Sequence, residues 1–211
     1  FNALTGTQLA KSGVTRPTTS DPMAVAWGSE LPAKLLDWLN IGSRHLIPSP
    51  AGPLTNLVLI DLPDHDSTEK LHRKTVDRLV PLVDMLVWVV DPQKYADAAL
   101  HDGYLKPLAG HAEVMAIALN QVDRLTLEQR DGALSDLRRL IDSEGLGRSP
   151  LLGVSALTGE GLAELKALIA NAAQAKAMAV RRLEADVTRE ASRLGAELGG
   201  GRLPEVTSAQ V

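Results

Sequence analysis

Apolar runs alternate along this chain with segments whose apolar residues recur at helical spacing. Four of the runs are short, and each stops at a polar residue: residues 57–60 before Asp61, 85–90 before Asp91, 114–119 before Asn120 and 151–154 before Ser155. The helical pattern covers residues 68–82, 95–108, 127–143 and the chain from 162 onward. Strands that alternate with helices are typical of a sheet covered by helices on both faces. The sequence therefore predicts a three-layer α/β fold with a mostly parallel sheet.

The polar residues that end these strands indicate where a ligand would bind. In an open α/β sheet, ligands bind at the carboxyl ends of the strands, where loops from neighbouring strands meet. Asp61, Asp91, Asn120 and Ser155 are thus predicted to lie along one edge of the sheet. We expect the functional site at that edge.

One more strand and an insertion are predicted in the N-terminal third of the chain. Residues 23–27 are predicted to form a strand that runs antiparallel to its neighbour. The connection over residues 28–56 is long for a compact α/β domain, with a short amphipathic helix at 32–39 and a Pro/Gly-rich stretch at 47–53. We interpret residues 28–56 as an insertion, which is either a surface loop or an element that binds a protein partner.

The C-terminal residues are predicted to form a helical extension, 173–198, and a flexible tail, 199–211. Apolar residues at helical spacing form a stripe along the extension: Val180, Leu183, Val187, Ala191, Leu194 and Leu198. Such a stripe packs on the domain itself, on a region outside this sequence or on a second copy of the chain. The candidate sites for an unknown protein partner or for self-association are therefore this helix and the insertion.

Composition narrows the possible functions. The chain has 211 residues, no cysteine and a formal net charge of -4. The lack of cysteine excludes disulfides, thiolate metal sites and cysteine nucleophiles within these residues, and the negative charge gives no direct signal for nucleic-acid binding. No apolar run approaches the ~20 residues of a membrane-spanning helix. We expect a cytoplasmic location, with membrane association only through regions outside this sequence.

The strongest chemical signal comes from two motifs that follow successive strands. They supply the candidate cofactor-binding residues Asn120, Gln121, Asp123, Ser155, Ala156 and Leu157. The Asp123 carboxylate can accept two parallel hydrogen bonds from the ring N–H and the exocyclic amine of guanine, a donor pair that adenine lacks. The Asn120 amide can bridge the base and neighbouring loops, and the Ala156 backbone N–H can donate to the guanine carbonyl. The two motifs together predict a guanine-nucleotide site.

Two other residues are predicted to hold a magnesium ion. Asp61 follows the strand 57–60, where a P-loop NTPase places the aspartate that organises the magnesium shell. The segment 15–19, Thr-Arg-Pro-Thr-Thr, offers a hydroxyl that can ligate magnesium when a γ-phosphate is present. We assign this role to Thr19, with Thr18 as the alternative.

Five segments of the chain form an ordered set: residues 1–6 (Phe-Asn-Ala-Leu-Thr-Gly), 15–19, 61–63 (Asp-Leu-Pro), 120–123 and 155–159 (Ser-Ala-Leu-Thr-Gly). They occur in the order seen in Era-like P-loop GTPases of the translation-factor class, and the chain resembles their YfjP-like branch most. The resemblance implies a Ras-like P-loop NTPase domain over residues 1–172, with GTP or GDP and magnesium as cofactors. It also implies that the domain hydrolyses GTP and acts as a molecular switch.

The resemblance also indicates what this sequence lacks. In the family, Phe-Asn-Ala-Leu belongs to the helix that begins at the Gly-Lys-Ser of the phosphate-binding loop. No Gly-x-x-x-x-Gly-Lys-Ser/Thr pattern occurs anywhere in the chain. The domain is therefore predicted to lack its N-terminal strand and phosphate-binding loop within these residues, and we expect both to precede Phe1 in the full-length protein.

Three residues depart from the family pattern. Asp64 stands where a glycine N–H meets the γ-phosphate, and its carboxylate would repel that phosphate. His65 stands where Ras-like proteins have the glutamine that orients the attacking water, which makes it either the candidate catalytic residue or a mobile switch residue. Gln121 replaces the common lysine, and its stem can still lie over the base. These departures leave an alternative open: a degenerate GTPase-like domain that binds a partner and does not hydrolyse GTP.

Overall fold

Six strands form two sheets in the part of the chain that the structure describes. This computed structural model describes residues 1–10, 22–49, 51–62, 78–79 and 82–197. The strands are β1 (Met23–Gly28), β2 (Ser43–Pro48), β3 (Val58–Asp61), β4 (Leu86–Val90), β5 (Met115–Leu119) and β6 (Leu151–Gly153). One sheet has the order β2-β1-β3 and the other the order β4-β5-β6.

Most neighbouring strands are parallel. β4, β5 and β6 are parallel to one another, and β1 is parallel to β2. β1 runs antiparallel to β3, with Met23 opposite Asp61. This confirms the antiparallel neighbour that was predicted for residues 23–27.

The helices connect the strands, as an α/β fold requires. They are α1 (Asn2–Thr5), α2 (Ala33–Trp38), α3 (Ala98–Leu100), α4 (Leu127–Ser143) and α5 (Leu162–Glu197). α3 continues as a π-helix over His101–Leu105 and a 3-10 helix over Lys106–Val114. α4 has the predicted bounds, and it begins at a capping box in which Thr126 and Gln129 each bond the other's backbone N–H.

The two faces of β5 pack against different helices, which produces the predicted three layers. Ile117 and Leu119 belong to a buried cluster that also contains Leu105 of the helix after β4 and Leu137 of α4. Ala118 points to the other face, where it joins a cluster with Leu165 and Ile169 of α5. Because successive side chains of a strand face opposite sides of a sheet, one strand serves both layers.

The insertion contributes an edge strand that the sequence did not predict. β2 pairs with β1 from Met23 opposite Ser43 to Gly28 opposite Pro48. The first two residues of the Pro/Gly-rich stretch 47–53 therefore belong to this strand. Before β2, Leu36 and Ile41 are buried in a cluster that also contains Ala24 of β1. Polar residues and proline occur on edge strands, where one side of the backbone needs no partner.

His101 is buried, although its position beside Asp102 suggests an exposed residue. Its Nδ1 lies 2.8 Å from both Glu144 carboxylate oxygens, and its Nε2 lies 2.6 Å from the Tyr95 carbonyl oxygen. His101 shares a helical face with Tyr104 and Leu105, which are also buried. Because this face of the helix packs against the core, the His101 imidazole is buried as well.

The chain divides into two compact units, Phe1–Ala173 and Gln174–Val211. In the second unit, the described helix exposes apolar side chains at Met178, Leu183, Val187 and Leu194. None of the described helices is both long enough and apolar enough to cross a membrane.

Candidate functional site

The end of β5 is fixed by backbone contacts to the strands on both sides. All five residues of β5 are buried. The Asn120 N–H donates to the Val90 carbonyl oxygen of β4 at 2.7 Å, and the Val122 N–H donates to the Val154 carbonyl oxygen at 3.3 Å. The segment 120–123 is thus held between the ends of β4 and β6.

Gln121 has a left-handed backbone conformation, with φ 65° and ψ 29°. The other described non-glycine residues with positive φ are Asn40 and Asn56, and asparagine tolerates this region better than glutamine does. Strained backbone of this kind occurs often at functional sites, where the surrounding structure enforces it. Here it turns the chain sharply after Asn120 and begins the short 3-10 helix Val122–Arg124 that contains Asp123.

Ser155 links the two motifs from a fully buried position. Its residue exposure is 0%, and its hydroxyl donates to Asp123 Oδ1 at 2.5 Å. Ser155 Oγ also accepts hydrogen bonds from the backbone N–H groups of Leu157 at 3.2 Å and Thr158 at 3.0 Å. Ser155 therefore holds the carboxylate of one motif and the loop of the other.

A second hydrogen bond joins the motifs. The Ala156 N–H, which was predicted to face the guanine carbonyl, donates to Asn120 Oδ1 at 3.1 Å. A carboxylate has about four lone-pair positions, and Ser155 uses one of those on Asp123. Asp123 can therefore still accept a parallel pair of hydrogen bonds from a base edge. The arrangement brings Asn120, Asp123, Ser155 and Ala156 together, and neighbouring Leu157 is 85% exposed.

Glycines shape the loop after Ser155. Gly161 has φ +68°, and a β-carbon on it would lie 2.2 Å from the Gly153 carbonyl oxygen. Gly159 has φ +87°, and its N–H donates to the Ser155 carbonyl oxygen at 3.0 Å. Only glycine allows the loop to return so closely to the end of β6.

Asp61 is the described member of the predicted magnesium site, and it is the last residue of β3. Its carboxylate is a hard oxygen donor of the kind that magnesium prefers. Among the described residues, no group of three or more His, Asp or Glu side chains is arranged to hold a metal ion. Thr19, Asp64 and His65 lie outside the described residues.

The segment after β4 forms a turn and no regular helix. Asp91 Oδ1 accepts the backbone N–H groups of Gln93 and Lys94, each at 2.9 Å. Further along, the Tyr95 hydroxyl donates to Asp136 Oδ2 of α4 at 3.1 Å. Burial, together with this hydrogen bond to Asp136, raises the pKa of the Tyr95 phenol. The segment is thus anchored to α4.

No protein-family model matches the chain, and no curated protein matches its sequence. Solved structures resemble it in fold. A structure described as an oligomerised bacterial dynamin pair for long-range sensing and tethering of membranes has a TM-score of 0.55 at 14% identity, covering 93% of this chain and 46% of that chain. A second structure of such a pair gives 0.53 at 13% identity, covering 93% and 43%.

A third similar structure is translation elongation factor SelB from Methanococcus maripaludis in complex with the GTP analogue GppNHp. Its TM-score is 0.47 at 17% identity, covering 71% of this chain and 33% of that chain. The chain spans less than half the length of each of these three structures. The likeness to the dynamin structures shows the fold alone: an α/β fold in three layers, followed by the long C-terminal helix α5.

Proposed function

We propose that this chain is the guanine-binding part of a magnesium-dependent GTPase that acts as a molecular switch. The observation that carries the proposal is the Asp123 carboxylate, which Ser155 holds at 2.5 Å at the carboxyl edge of β5 and β6. A carboxylate fixed there by a buried hydroxyl has the acceptors that a guanine edge requires.

Recognition of the base would use three groups. Asp123 accepts the ring N–H and the exocyclic amine, and the Ala156 N–H donates to the guanine carbonyl in place of its bond to Asn120. The Gln121 stem lies over the base. Adenine presents no matching donor pair, and a site whose hydrogen-bonding groups are left unpaired rejects the wrong ligand strongly.

The phosphate side would use residues near β3 and beyond the described part. Asp61 and Thr19 supply oxygen donors for a magnesium ion, which neutralises phosphate charge when bound. Water attacks the γ-phosphate, and GDP and inorganic phosphate leave. His65 orients that water, and Asp64 contributes a backbone N–H beside the phosphate, at the cost of carboxylate repulsion.

The edges of the two sheets support the proposed phosphate-binding loop. Among the described strands, β3 and β4 each have one partner. Leu57, before β3, and Met85 and Val87, at β4, pack against the same buried cluster, and Val89 of β4 is 54% exposed. A further parallel strand between β3 and β4 would give each of them a second partner and bring a phosphate-binding loop to the carboxyl edge. Slow amide exchange across both β3 and β4 in the full-length protein would support that strand.

Nucleotide competition on the full-length protein tests base recognition. GTP and GDP are expected to displace a labelled guanine nucleotide at least about 100-fold more effectively than ATP and ADP, because adenine cannot form the two charge-assisted hydrogen bonds to the Asp123 carboxylate, which together contribute several kcal/mol. Equal affinity for the two bases, or an Asp123→Asn variant with unchanged affinity, would remove the proposal.

Hydrolysis is tested separately. Phosphate release above the buffer background is expected with GTP and magnesium, and its loss is expected when magnesium is removed. Tight binding of GTP without any turnover would instead identify a degenerate, non-hydrolysing domain, as Asp64 and His65 suggest.

A further inference from the structure

Arg130 and Glu160 form an ion pair beside the base-recognition loop, residues 155–161. Arg130 Nη1 of α4 contacts Glu160 Oε1, and the side chains are 30% and 45% exposed. Ion pairs at such exposure contribute at most about 1 kcal/mol to stability. The importance of the pair therefore depends on what it holds in place.

Glu160 is also bonded to the residue that orients Asp123. The Ser155 N–H donates to the Glu160 carbonyl oxygen at 2.9 Å. Glu160 thus closes the loop through its backbone, while its side chain contacts α4. Because the Ser155 hydroxyl bonds Asp123, any displacement of Glu160 reaches the carboxylate that is proposed to read the base.

Arg130 is a fixed anchor for this contact. Its backbone N–H donates to the Thr126 carbonyl oxygen at 2.9 Å, directly after the capping box that begins α4. Its side chain passes over the end of β6, where a β-carbon on Gly153 would lie 3.7 Å from Arg130 Nε. The Arg130 side chain therefore extends from a regular helix, lies against the end of β6 and contacts the loop through its guanidinium.

These contacts connect Arg130 to Asp123 in three steps. Arg130 is ion-paired with Glu160, the Glu160 carbonyl oxygen accepts the Ser155 N–H, and the Ser155 hydroxyl donates to Asp123. We infer that Arg130 and Glu160 are positioning residues that hold the base-recognition loop in place and so determine how strictly the site selects guanine. The inference rests on the proposed guanine site.

The test compares GDP with inosine diphosphate, whose base lacks the exocyclic amine that Asp123 would accept. In the full-length protein, Arg130→Gln and Glu160→Gln should each weaken GDP binding about fivefold, the factor that corresponds to ~1 kcal/mol. The affinity for inosine diphosphate should fall less, because its base makes one hydrogen bond fewer to Asp123. The preference for GDP over inosine diphosphate should therefore decrease. The exchanged pair, Arg130→Glu with Glu160→Arg, should recover the preference. An unchanged preference in both single variants would overturn the inference.

A matched control pair lies at the opposite end of the same strands. Arg148, before β6, contacts Glu113, before β5, at 2.5 Å, with side chains 78% and 72% exposed. Arg148→Gln should leave the preference for GDP unchanged. An equal loss in Arg148→Gln would contradict the inference, because the effect would then come from general charge.

Amide exchange in the nucleotide-free protein separates this inference from the proposed function. The Leu157 and Thr158 amides, which bond Ser155 Oγ, should exchange faster in Glu160→Gln than in the wild type. If the wild type fails to bind GDP while this exchange still rises, the proposed function is wrong and the loop-holding role stands. If the wild type binds GDP and neither exchange nor preference changes, the loop-holding role alone is wrong.

Discussion

The predicted site residues at the ends of β5 and β6, in one sheet, and at the end of β3, in the other sheet, differ in how many hydrogen bonds hold them in place. At β5 and β6, side-chain hydrogen bonds already join Asp123 to Ser155 and Asn120 to Ala156. At β3, Asp61 is the last residue of a strand whose residues are only half-buried. Groups that are fixed before a ligand arrives lose less entropy on binding. The groups proposed to recognise the base are therefore preorganised by this chain's own packing, whereas the proposed phosphate site depends on residues beyond the described part.

The largest expected effect is on GDP binding, and it distinguishes the carboxylate at β5, Asp123, from the carboxylate at β3, Asp61. Asp123→Asn should weaken GDP binding at least about 100-fold, because a hydrogen bond to a charged group contributes roughly 1.5–3 kcal/mol and two are affected. Asp61→Asn should leave the preference for GDP over ADP unchanged and reduce magnesium-dependent hydrolysis. Titration and phosphate release in both variants provide the check. A loss of base preference in Asp61→Asn would break the comparison.

The next effect concerns the loop that completes the base side. Gly161→Ala should lower the free energy of unfolding by about 2 kcal/mol, from left-handed strain and the collision with the Gly153 carbonyl oxygen. Gly159→Ala is the matched control: it shares the positive φ but meets no atom within 4 Å, so about 1 kcal/mol is expected. Urea unfolding measures both, and equal losses would show that the close approach is unimportant.

Ser155→Ala should have a slightly smaller effect. It removes a buried hydroxyl that donates to Asp123 and accepts two backbone N–H groups, so a loss of about 1.5 kcal/mol in unfolding free energy is expected. GDP affinity should fall in the same variant, because the carboxylate loses its support. Full GDP affinity in a folded Ser155→Ala protein would argue against preorganisation.

The smallest effect is a pH dependence in the segment after β4. The raised pKa of Tyr95 means that the folded state favours the neutral phenol. Its contribution to stability is therefore complete below the unfolded pKa of about 10 and is lost as the pH rises through the higher folded value. In a Tyr104→Phe background, the phenolate absorbance of Tyr95 should appear above that pH, and Asp136→Asn should lower its midpoint. Ionisation at the ordinary value would contradict the proposed anchoring to α4.

Local sequence signals predicted the elements that carry the base side. Apolar residues recur at helical spacing over 127–143, and the predicted bounds of α4 agree with the structure, in which Thr126 and Gln129 form a capping box at its start. The strand ends at Asn120 and Ser155 were predictable because an apolar run stops there. These signals lie within a few residues of the feature that they indicate.

Features that depend on distant contacts were not predictable in the same way. β2 forms because its backbone pairs with β1, although Arg44, His45 and Pro48 give it no strand pattern. The contact between Arg130 and Glu160 joins residues from different elements, and neither has a local signal for it. Thr19, Asp64 and His65, which were predicted to act on the phosphate side, lie outside the described residues, and their roles stay predictions.

A crystal structure of the full-length protein with GDP tests the central claim most directly. The account predicts that the guanine ring N–H and exocyclic amine both lie about 2.7–3.2 Å from the Asp123 carboxylate oxygens, with Ser155 still bonded to that carboxylate and the Ala156 N–H turned to the guanine carbonyl. A base bound elsewhere, or an Asp123 carboxylate turned away from it, would contradict the account.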